Sequence, residues 1–211
     1  MTTRALLIDA LGTMVELEPP WVRLAEALDT EPNEALVRAV RAEMAYYKEH
    51  AHEGRDAESL ADLRGRCAAI LSEGLGREIP VETMMDAIRF RAYDDAAPAL
   101  RAVRAGGVLT ICVSNWDISL ADVLADCGLA ELLDGVVSSA EVGARKPDPA
   151  IFARALELAG CAPAEALHVG DTPAEDIAGA RAAGIPALLI DRSGRDGDLR
   201  TLAELPERVL A

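Results

Sequence analysis

Aromatic residues are scarce in this chain of 211 residues, at 3% of the sequence, whereas hydrophobic residues make up 51%. The buried core therefore has to be built from alanine, leucine, valine and isoleucine, and the length allows one large domain or a domain with a small insertion. No apolar run reaches the roughly 18 residues of a membrane span, and the first apolar segment, Ala5–Ile8, has no basic leader before it. We therefore expect a cytoplasmic protein that does not contact a membrane.

Positive charge is also in short supply, with 21 lysines and arginines against 36 aspartates and glutamates and a net charge of −15. Such a chain repels nucleic acid and anionic membranes, so neither is expected as a partner. A small anionic substrate would need a local cationic site or a metal ion. Solubility alone is the simpler explanation of the charge.

Cysteine is limited to positions 67, 112, 127 and 161, without CxxC or metal-ligand spacing. Three of the four stand inside apolar runs. We interpret all of them as reduced core or helix residues of a reducing compartment.

Five short apolar runs have strand character, namely Ala5–Ile8, 108–113, 136–137, 166–169 and 187–190. Helical patterns at about 118–127, 149–160 and 175–183 separate the later runs. Buried strands that alternate with helices predict an α/β fold in which helices cover both faces of a parallel sheet. Ligands of such folds bind at the carboxyl ends of the strands.

Nearly 100 residues separate the first two predicted strands, far more than one crossover helix needs. Helix starts are indicated at Thr30 and Asp56, and segments 19–28 and 81–91 can form two further helices. Two sets of apolar residues each recur on one helical face: Leu36, Val40, Met44 and Tyr47, and then Leu60, Leu63, Cys67, Ile70 and Leu71. We therefore predict an all-helical domain over 16–92, inserted into a core domain formed by 1–15 and 93–211.

Carboxylates follow two of the predicted strands. Asp9 leaves the first strand, where Gly12 permits a sharp turn. Asp171 leaves the strand at 166–169, and Asp176 follows five residues later. Two strand-end carboxylates with few other ligands suit Mg²⁺, which prefers oxygen and keeps several waters. Glu175 is spaced from Thr172 as in a capping box, so we interpret it as structural.

Two further segments offer groups for an anion. Ser114 and Asn115 follow the second predicted strand, at a turn whose N–H groups can cradle a phosphate. Lys146 is fixed by Pro147 just before a helix that Asp148 caps. Each segment alone is more often an ordinary turn, cap or solvated lysine.

Taken in order, these motifs resemble the haloacid dehalogenase (HAD) superfamily over the entire chain. The most specific matches are Gly170-Asp171 with Asp176, the stretch 180–184, and Lys146-Pro147. The resemblance implies a Rossmann-like core with a type 1 helical cap. It also implies a Mg²⁺-dependent phosphatase that acts on a small phosphorylated metabolite through an aspartyl-phosphate intermediate.

The resemblance implies a role for each matched residue. Asp9 is then the nucleophile, and Mg²⁺ is held by the Asp9 side chain, the Leu11 backbone carbonyl and the Asp171 carboxylate, with Asp176 supporting the water shell. Ser114, the Asn115 amide and Lys146 would hold the phosphoryl oxygens. Mg²⁺ and Lys146 would screen the two negative charges that otherwise prevent a carboxylate from attacking a phosphate.

Leu11 departs from the family pattern, because HAD phosphatases usually have an acid/base aspartate at that position. Such a group is worth roughly 10²–10⁴-fold in rate. The enzyme could be slow, could act on substrates with good leaving groups, could use another acid, or could have lost catalysis. The loop between the predicted insertion helices offers His50, His52 and Arg55, which could select substrate or supply a proton; a solvated loop is the alternative.

Three more residues complete the substrate-binding candidates: Gly12, Thr13 and Trp116, the last of which could equally be a packing residue. Two other functions stay open. The 2-haloacid dehalogenases of the superfamily also lack the second aspartate and use no metal, but their last motif differs from Gly170-Asp171 here. A catalytically impaired protein that binds metal and phosphate is the other alternative. The oligomeric expectation is a monomer or a homodimer.

Overall fold

The computed structural model describes residues 3–210. Its strands are β1 (Ala5–Ile8), β2 (Val15–Leu17), β3 (Phe90–Ala92), β4 (Leu109–Ser114), β5 (Gly135–Ser138), β6 (Ala166–Gly170) and β7 (Ala187–Leu189). Five of them form a parallel sheet in the order β5-β4-β1-β6-β7. β1 lies at its centre and is buried along its whole length. The prediction of a parallel α/β sheet is confirmed.

Four α-helices and one short 3₁₀ helix (Ala51–Glu53) lie between β2 and β3, and we call residues 20–87 the helical insertion. The α-helices are α1 (Pro20–Ala27), α2 (Glu34–His50), α3 (Ala57–Leu75) and α4 (Val81–Ala87). A hydrophobic cluster of their own holds them together, and Leu36, Leu63 and Leu71 are among its buried members. Of the apolar face predicted for α2, Leu36 and Val40 are buried in this cluster, while Met44 and Tyr47 pack against it and are partly exposed. Of the face predicted for α3, Leu63, Cys67 and Leu71 are buried in the cluster, Leu60 is buried outside it, and Ile70 is partly exposed.

The start of α2 differs from the prediction. Thr30 does not begin the helix; Asn33 does, and its Oδ1 accepts the Leu36 N–H at 3.0 Å. Asp56, in contrast, caps α3 as predicted by accepting the Ser59 N–H at 2.8 Å. An amide oxygen placed immediately before the first turn satisfies a donor there, which a threonine three residues earlier does not.

A two-stranded antiparallel ribbon, β2 with β3, joins the insertion to the sheet. We expected segment 81–91 to supply a helix, and it does so only in its first part, because α4 stops at Ala87 and Phe90 begins β3. The pairing of Leu17 with Phe90 and the ion pair of Arg91 with Glu16 explain why the chain prefers a strand here.

Helices cover both faces of the sheet. They are α5 (Ala96–Ala105), α6 (Leu120–Asp126), α7 (Ser139–Val142), α8 (Pro149–Ala159), α9 (Ala178–Ala182) and α10 (Leu205–Val209). Leu6 and Ile8 of β1 pack with α5, α6 and α10, while Leu7 packs with α8 and α9. Alternate residues of a strand point to opposite faces, so β1 contributes to both cores. Within residues 3–210, no helix is both long and apolar enough to cross a membrane.

Candidate active site

Asp9 follows β1 at the carboxyl edge of the sheet, between the ends of β4 and β6. It is 6% exposed. Its Oδ1 accepts hydrogen bonds from Ser114 Oγ at 2.9 Å and from Lys146 Nζ at 2.7 Å. Oδ2 accepts no hydrogen bond from the described residues. The carboxylate is thus held through one oxygen while the other is left for chemistry.

Lys146 is 2% exposed, and all three of its ammonium donors are used. Besides Asp9, Nζ contacts Asp176 Oδ1 at 2.6 Å and the Val113 carbonyl at 3.0 Å. Its chain segment reaches this position through a cis bond to Pro147. A buried ammonium needs acceptors for all of its donors, and these three contacts provide them. They hold a positive charge in a fixed position beside Asp9.

Asp176 is held from several directions. Its Oδ1 also lies 3.0 Å from His168 Nε2, and its Oδ2 accepts the Thr172 N–H at 3.0 Å. His168 of β6 is fully buried and touches the site through this contact. The periodicity of the strand predicts burial of His168 but not its partner.

The charges of the site shift its pKa values in different directions. Burial raises the pKa of Asp9 and outweighs the opposing charge of Lys146. Burial alone would lower the pKa of Lys146, but Asp9 and Asp176 hold it above its usual range. Burial would likewise raise the pKa of Asp176, yet Lys146 and His168 keep it well below its usual range. The lysine therefore stays charged at neutral pH.

The donor set fits a divalent metal. Asp9, Asp171 and Asp176 each present a carboxylate oxygen, and these oxygens lie within 4.8 Å of one another. Removal from water, followed by the charge of Asp9, raises the pKa of Asp171 to about 6. A cation between these groups would relieve that repulsion. Because Asp176 is already occupied by Lys146, His168 and Thr172, Asp9 and Asp171 are the better direct ligands.

Gly12 makes the approach of Asp171 possible. Its φ is +83°, and a β-carbon at this position would lie 2.1 Å from Asp171 Oδ2. Neighbouring Leu11 has a side chain that is 40% exposed and carries no proton to donate. Thr13 is fully buried, and its Oγ1 has no hydrogen-bond partner among the described residues. Thr13 is therefore placed beneath the loop rather than on its open side.

Asn115 uses its side chain to hold Lys146. The Asn115 Oδ1 accepts the Lys146 N–H at 2.7 Å, and Nδ2 donates to the Lys146 carbonyl at 3.1 Å. Only the backbone amide of Asn115 is left for the anion-binding role that we predict. Trp116 is 4% exposed and packs on Phe90 with ring centroids 4.9 Å apart. Its side chain belongs to the core, which is the packing role considered for it.

The loop that carries His50, His52 and Arg55 lies against the segment after β4. Its Gly54 carbonyl accepts the Ile118 N–H at 3.0 Å. His50 stacks on Tyr46 and places Nδ1 2.8 Å from the Tyr46 carbonyl, so that nitrogen is engaged within the insertion. Arg55 is exposed, and His52 Nδ1 is buried with no hydrogen-bond partner within residues 3–210. The loop therefore lies on the side of the sheet that carries Asp9, but in the described part of the chain no histidine is hydrogen-bonded to Asp9.

The structural role predicted for Glu175, as part of a capping box with Thr172, is wrong. The predicted capping box does not form, because Thr172 Oγ1 donates to Asp171 instead, at 3.0 Å. Glu175 contacts Lys48 and Arg145, each at 3.3 Å, and Asn115 at 3.2 Å. These partners lie 30 to 127 positions away in the sequence, so no local spacing could indicate them.

A groove of about 430 Å³ opens beside Asp171 and Gly12. Its far wall is the loop after β7, which Arg192 anchors to Asp95 with two contacts at 3.0 Å. Arg192 also stacks on Tyr93, 3.6 Å from the ring centroid. The groove gives solvent and small molecules a route to Asp171, the one of the three carboxylates that lines it.

Comparison with known proteins identifies relatives of this arrangement. The sequence model of the haloacid dehalogenase-like hydrolase family matches residues 3–184. The haloacid dehalogenase-like hydrolase domain-containing protein 3 of Bos taurus is 41% identical over 101 residues, which are 48% of this chain and 40% of that protein. The phosphoserine phosphatase of Thermus thermophilus is 37% identical over 123 residues, 58% of this chain and 49% of that protein. The matches thus span about half the length of these curated relatives or less.

Solved structures resemble the whole chain. A HAD phosphatase from Thermococcus onnurineus superposes with a TM-score of 0.70 and 24% identity over 98% of both chains. The L-2-haloacid dehalogenase from Xanthobacter autotrophicus gives a TM-score of 0.75 and 23% identity over 99% of this chain and 98% of that one. At such identities these two similarities establish the fold alone.

Proposed function

The chain belongs to the haloacid dehalogenase-like hydrolase family, and we propose that within it the protein is a Mg²⁺-dependent phosphatase acting on a small phosphorylated metabolite. The observation that carries the proposal is the meeting of three carboxylates, from Asp9, Asp171 and Asp176, within 4.8 Å of one another beside the buried ammonium of Lys146. The sequence similarity to a phosphoserine phosphatase points the same way.

In this proposal Asp9 is the nucleophile. Its Oδ2 attacks phosphorus while Ser114 and Lys146 fix Oδ1 and orient the carboxylate. The P–O bond to the leaving group breaks as the bond to Oδ2 forms. Water then attacks the phosphorus of the aspartyl phosphate, which releases inorganic phosphate and restores Asp9.

Lys146 supplies a permanent positive charge next to the reacting carboxylate. Its ammonium offsets part of the repulsion between the Asp9 carboxylate and the incoming phosphoryl group. Mg²⁺ held by Asp9, Asp171 and the Leu11 carbonyl would polarise the phosphoryl group and screen it from Asp9. Asp176 keeps Lys146 in place, and His168 in turn contacts Asp176.

Leu11 restricts the substrates we expect. Because its side chain cannot protonate a departing oxygen, the leaving group has to take its proton from water or leave as an anion. Acyl phosphates and aryl phosphates satisfy this requirement. We further propose that the core domain, 1–15 and 93–211, carries the chemistry and that the helical segment, 16–92, acts as a cap that excludes water.

The test is phosphate release from acetyl phosphate and p-nitrophenyl phosphate, with Mg²⁺ and with a chelator. Native protein should release phosphate only with the metal, and Asp9→Asn should abolish release. Asp122→Asn, a change of the same kind at an exposed position of α6, should leave the rate unchanged. Release that persists in the chelator, or in Asp9→Asn, would overturn the proposal.

Two other outcomes would redirect the assignment. Chelator-insensitive release of chloride from chloroacetate would identify a dehalogenase. Binding of Mg²⁺ and phosphate by a protein that turns over neither substrate would identify a binding protein.

A further inference from the structure

Glu175 stands where the helical insertion meets the core. Its Oε1 lies 3.3 Å from Lys48 Nζ in α2 and 3.3 Å from the Arg145 guanidinium, while its Oε2 accepts a hydrogen bond from Asn115 Nδ2 at 3.2 Å. The Glu175 side chain is 18% exposed. One carboxylate therefore contacts a residue of the insertion and two residues of the core.

Other contacts join the insertion and the core on the same side of the sheet. Arg145 donates to the Glu49 carbonyl at 3.2 Å, so it binds the insertion as well as Glu175. Tyr47 donates to Asp117 Oδ2 at 2.9 Å, one helical turn before the end of α2. The C-terminal end of α2 is thus docked on the loops that follow β4 and β5.

From Glu175 the contacts lead directly to the lysine of the site. Asn115, which donates to Glu175, also binds the N–H and the carbonyl of Lys146. Lys146 in turn contacts Asp9 at 2.7 Å. A continuous set of hydrogen bonds and ion pairs therefore connects Lys48 in the insertion with Asp9, and each link joins residues far apart in the sequence.

Glu175 has no local structural duty that would explain its position. It sits in the first turn after β6, yet the donors of that turn are satisfied by other groups, since Asp176 accepts the Thr172 N–H. The Thr172 hydroxyl is directed to Asp171. The Glu175 carboxylate is available for the contacts with Lys48, Arg145 and Asn115.

We propose that Glu175 is a positioning residue that couples docking of the helical insertion to the placement of Lys146. With the insertion docked, Lys48 and Arg145 hold the Glu175 carboxylate against Asn115, and Asn115 fixes the Lys146 backbone. When Lys48 leaves, Asn115 loses part of its support. The coupling deepens the proposed phosphatase function, on which its kinetic consequence rests, while the structural link can be measured without turnover.

The Lys146 amide reports this coupling, because its N–H is held by Asn115. Its hydrogen exchange can be followed by NMR in the full-length protein for Glu175→Gln, for Lys48→Met and for the control Glu157→Gln. Lys48 is 56% exposed, so Lys48→Met should fold, and Glu157 is an exposed glutamate of α8 paired with Arg154. We expect exchange about two- to fivefold faster in Lys48→Met and at least as fast in Glu175→Gln, with no change in the control.

The double variant separates coupling from two independent effects. If Lys48 acts through Glu175, Lys48→Met combined with Glu175→Gln should exchange no faster than Glu175→Gln alone. Unchanged exchange in both single variants would overturn the proposal. It would also be overturned if only Glu175→Gln accelerated exchange, because Glu175 would then support Asn115 without any link to the insertion.

Kinetics give the second readout. In Lys48→Met we expect kcat for p-nitrophenyl phosphate to fall several-fold while KM stays within about twofold, since a displaced Lys146 weakens the transition state more than substrate binding. A rise in KM with unchanged kcat would overturn the positioning role and make Lys48 a substrate contact. If the native protein releases no phosphate, the phosphatase proposal fails, and the exchange data still decide the coupling.

Discussion

Asn115 binds both peptide groups of Lys146, with its Oδ1 2.7 Å from the Lys146 nitrogen and its Nδ2 3.1 Å from the Lys146 carbonyl oxygen. The backbone of the lysine is therefore fixed by a side chain that leaves β4, while its ammonium is fixed by Asp9 and Asp176. Two strand ends and the loop after β5 meet at this one residue. The position of the positive charge depends on Asn115 as much as on the carboxylates.

Asn115→Ala should lower the phosphatase rate more than a control variant of similarly lowered stability does. The change leaves the Lys146 N–H and carbonyl without partners, which costs about 1–3 kcal/mol of folding free energy. Displacement of the ammonium should reduce kcat about 10- to 100-fold. Asn33→Ala removes a helix cap for about 1 kcal/mol and serves as the control for lost stability, because its contact with Leu36 lies inside the insertion. Equal kcat in the two variants would contradict the role of Asn115.

Gly12→Ala should damage the metal site. A β-carbon there would meet Asp171 Oδ2 at 2.1 Å, and the φ of +83° strains any other residue. We expect Mg²⁺ affinity, measured by isothermal titration calorimetry, to fall about 10- to 100-fold. Gly160→Ala is the matched control, because Gly160 also has a positive φ, of +58°, with nothing within 4 Å of the added carbon. Unchanged affinity in Gly12→Ala would place the metal elsewhere.

Leu11→Asp should accelerate the hydrolysis of substrates with poor leaving groups. An acid at this position can protonate the departing oxygen. General acid catalysis of this kind raises the rate by roughly 10²–10⁴-fold. Because Leu11 is 40% exposed, the substitution should cost little stability. Leu11→Asn has the same shape without the acid and should show no gain. We expect the effect on alkyl phosphates to exceed that on acetyl phosphate, which needs no proton.

Much of the fold follows from the sequence because the five core strands are short apolar runs. The first was predicted at its observed bounds, and the others deviate by one or two residues. Membership of the superfamily, inferred from strand-end motifs around Asp9, Lys146 and Asp171, is confirmed by the family match over residues 3–184. Such motifs are predictable because each depends on residues adjacent in the sequence, at the end of one strand for Asp9 and Asp171 and just before α8 for Lys146.

The ribbon of β2 and β3 escaped prediction because its strands have three residues each and pair across more than 70 positions. Isolated strands of that length carry almost no periodic signal. The prediction for Glu175 was wrong for a related reason. Its spacing from Thr172 is typical of a helix cap. Only in the folded chain do Lys48 and Arg145 lie close enough to form ion pairs with the Glu175 carboxylate.

Asp171 makes the stability of the metal-free protein depend on pH. Its pKa, raised to about 6 by loss of water and by the charge of Asp9, is higher in the folded state than the ordinary value of 3.8. The protonated group then favours folding, so stability should rise as pH falls from 7 towards 5 and the proton is taken up. Because the carboxylate opens onto the groove, solvent limits the size of this effect.

The midpoint of thermal unfolding at pH 7 and pH 5, in chelator, measures this dependence. The gain on acidification should be smaller in Asp171→Asn than in native protein. It should be undiminished in Asp196→Asn, which removes the same charge from an exposed residue of the same groove. Mg²⁺ competes with the proton for Asp171, so it should raise the midpoint more at pH 7 than at pH 5. A larger effect of Mg²⁺ at pH 5 would show that the metal does not bind this carboxylate.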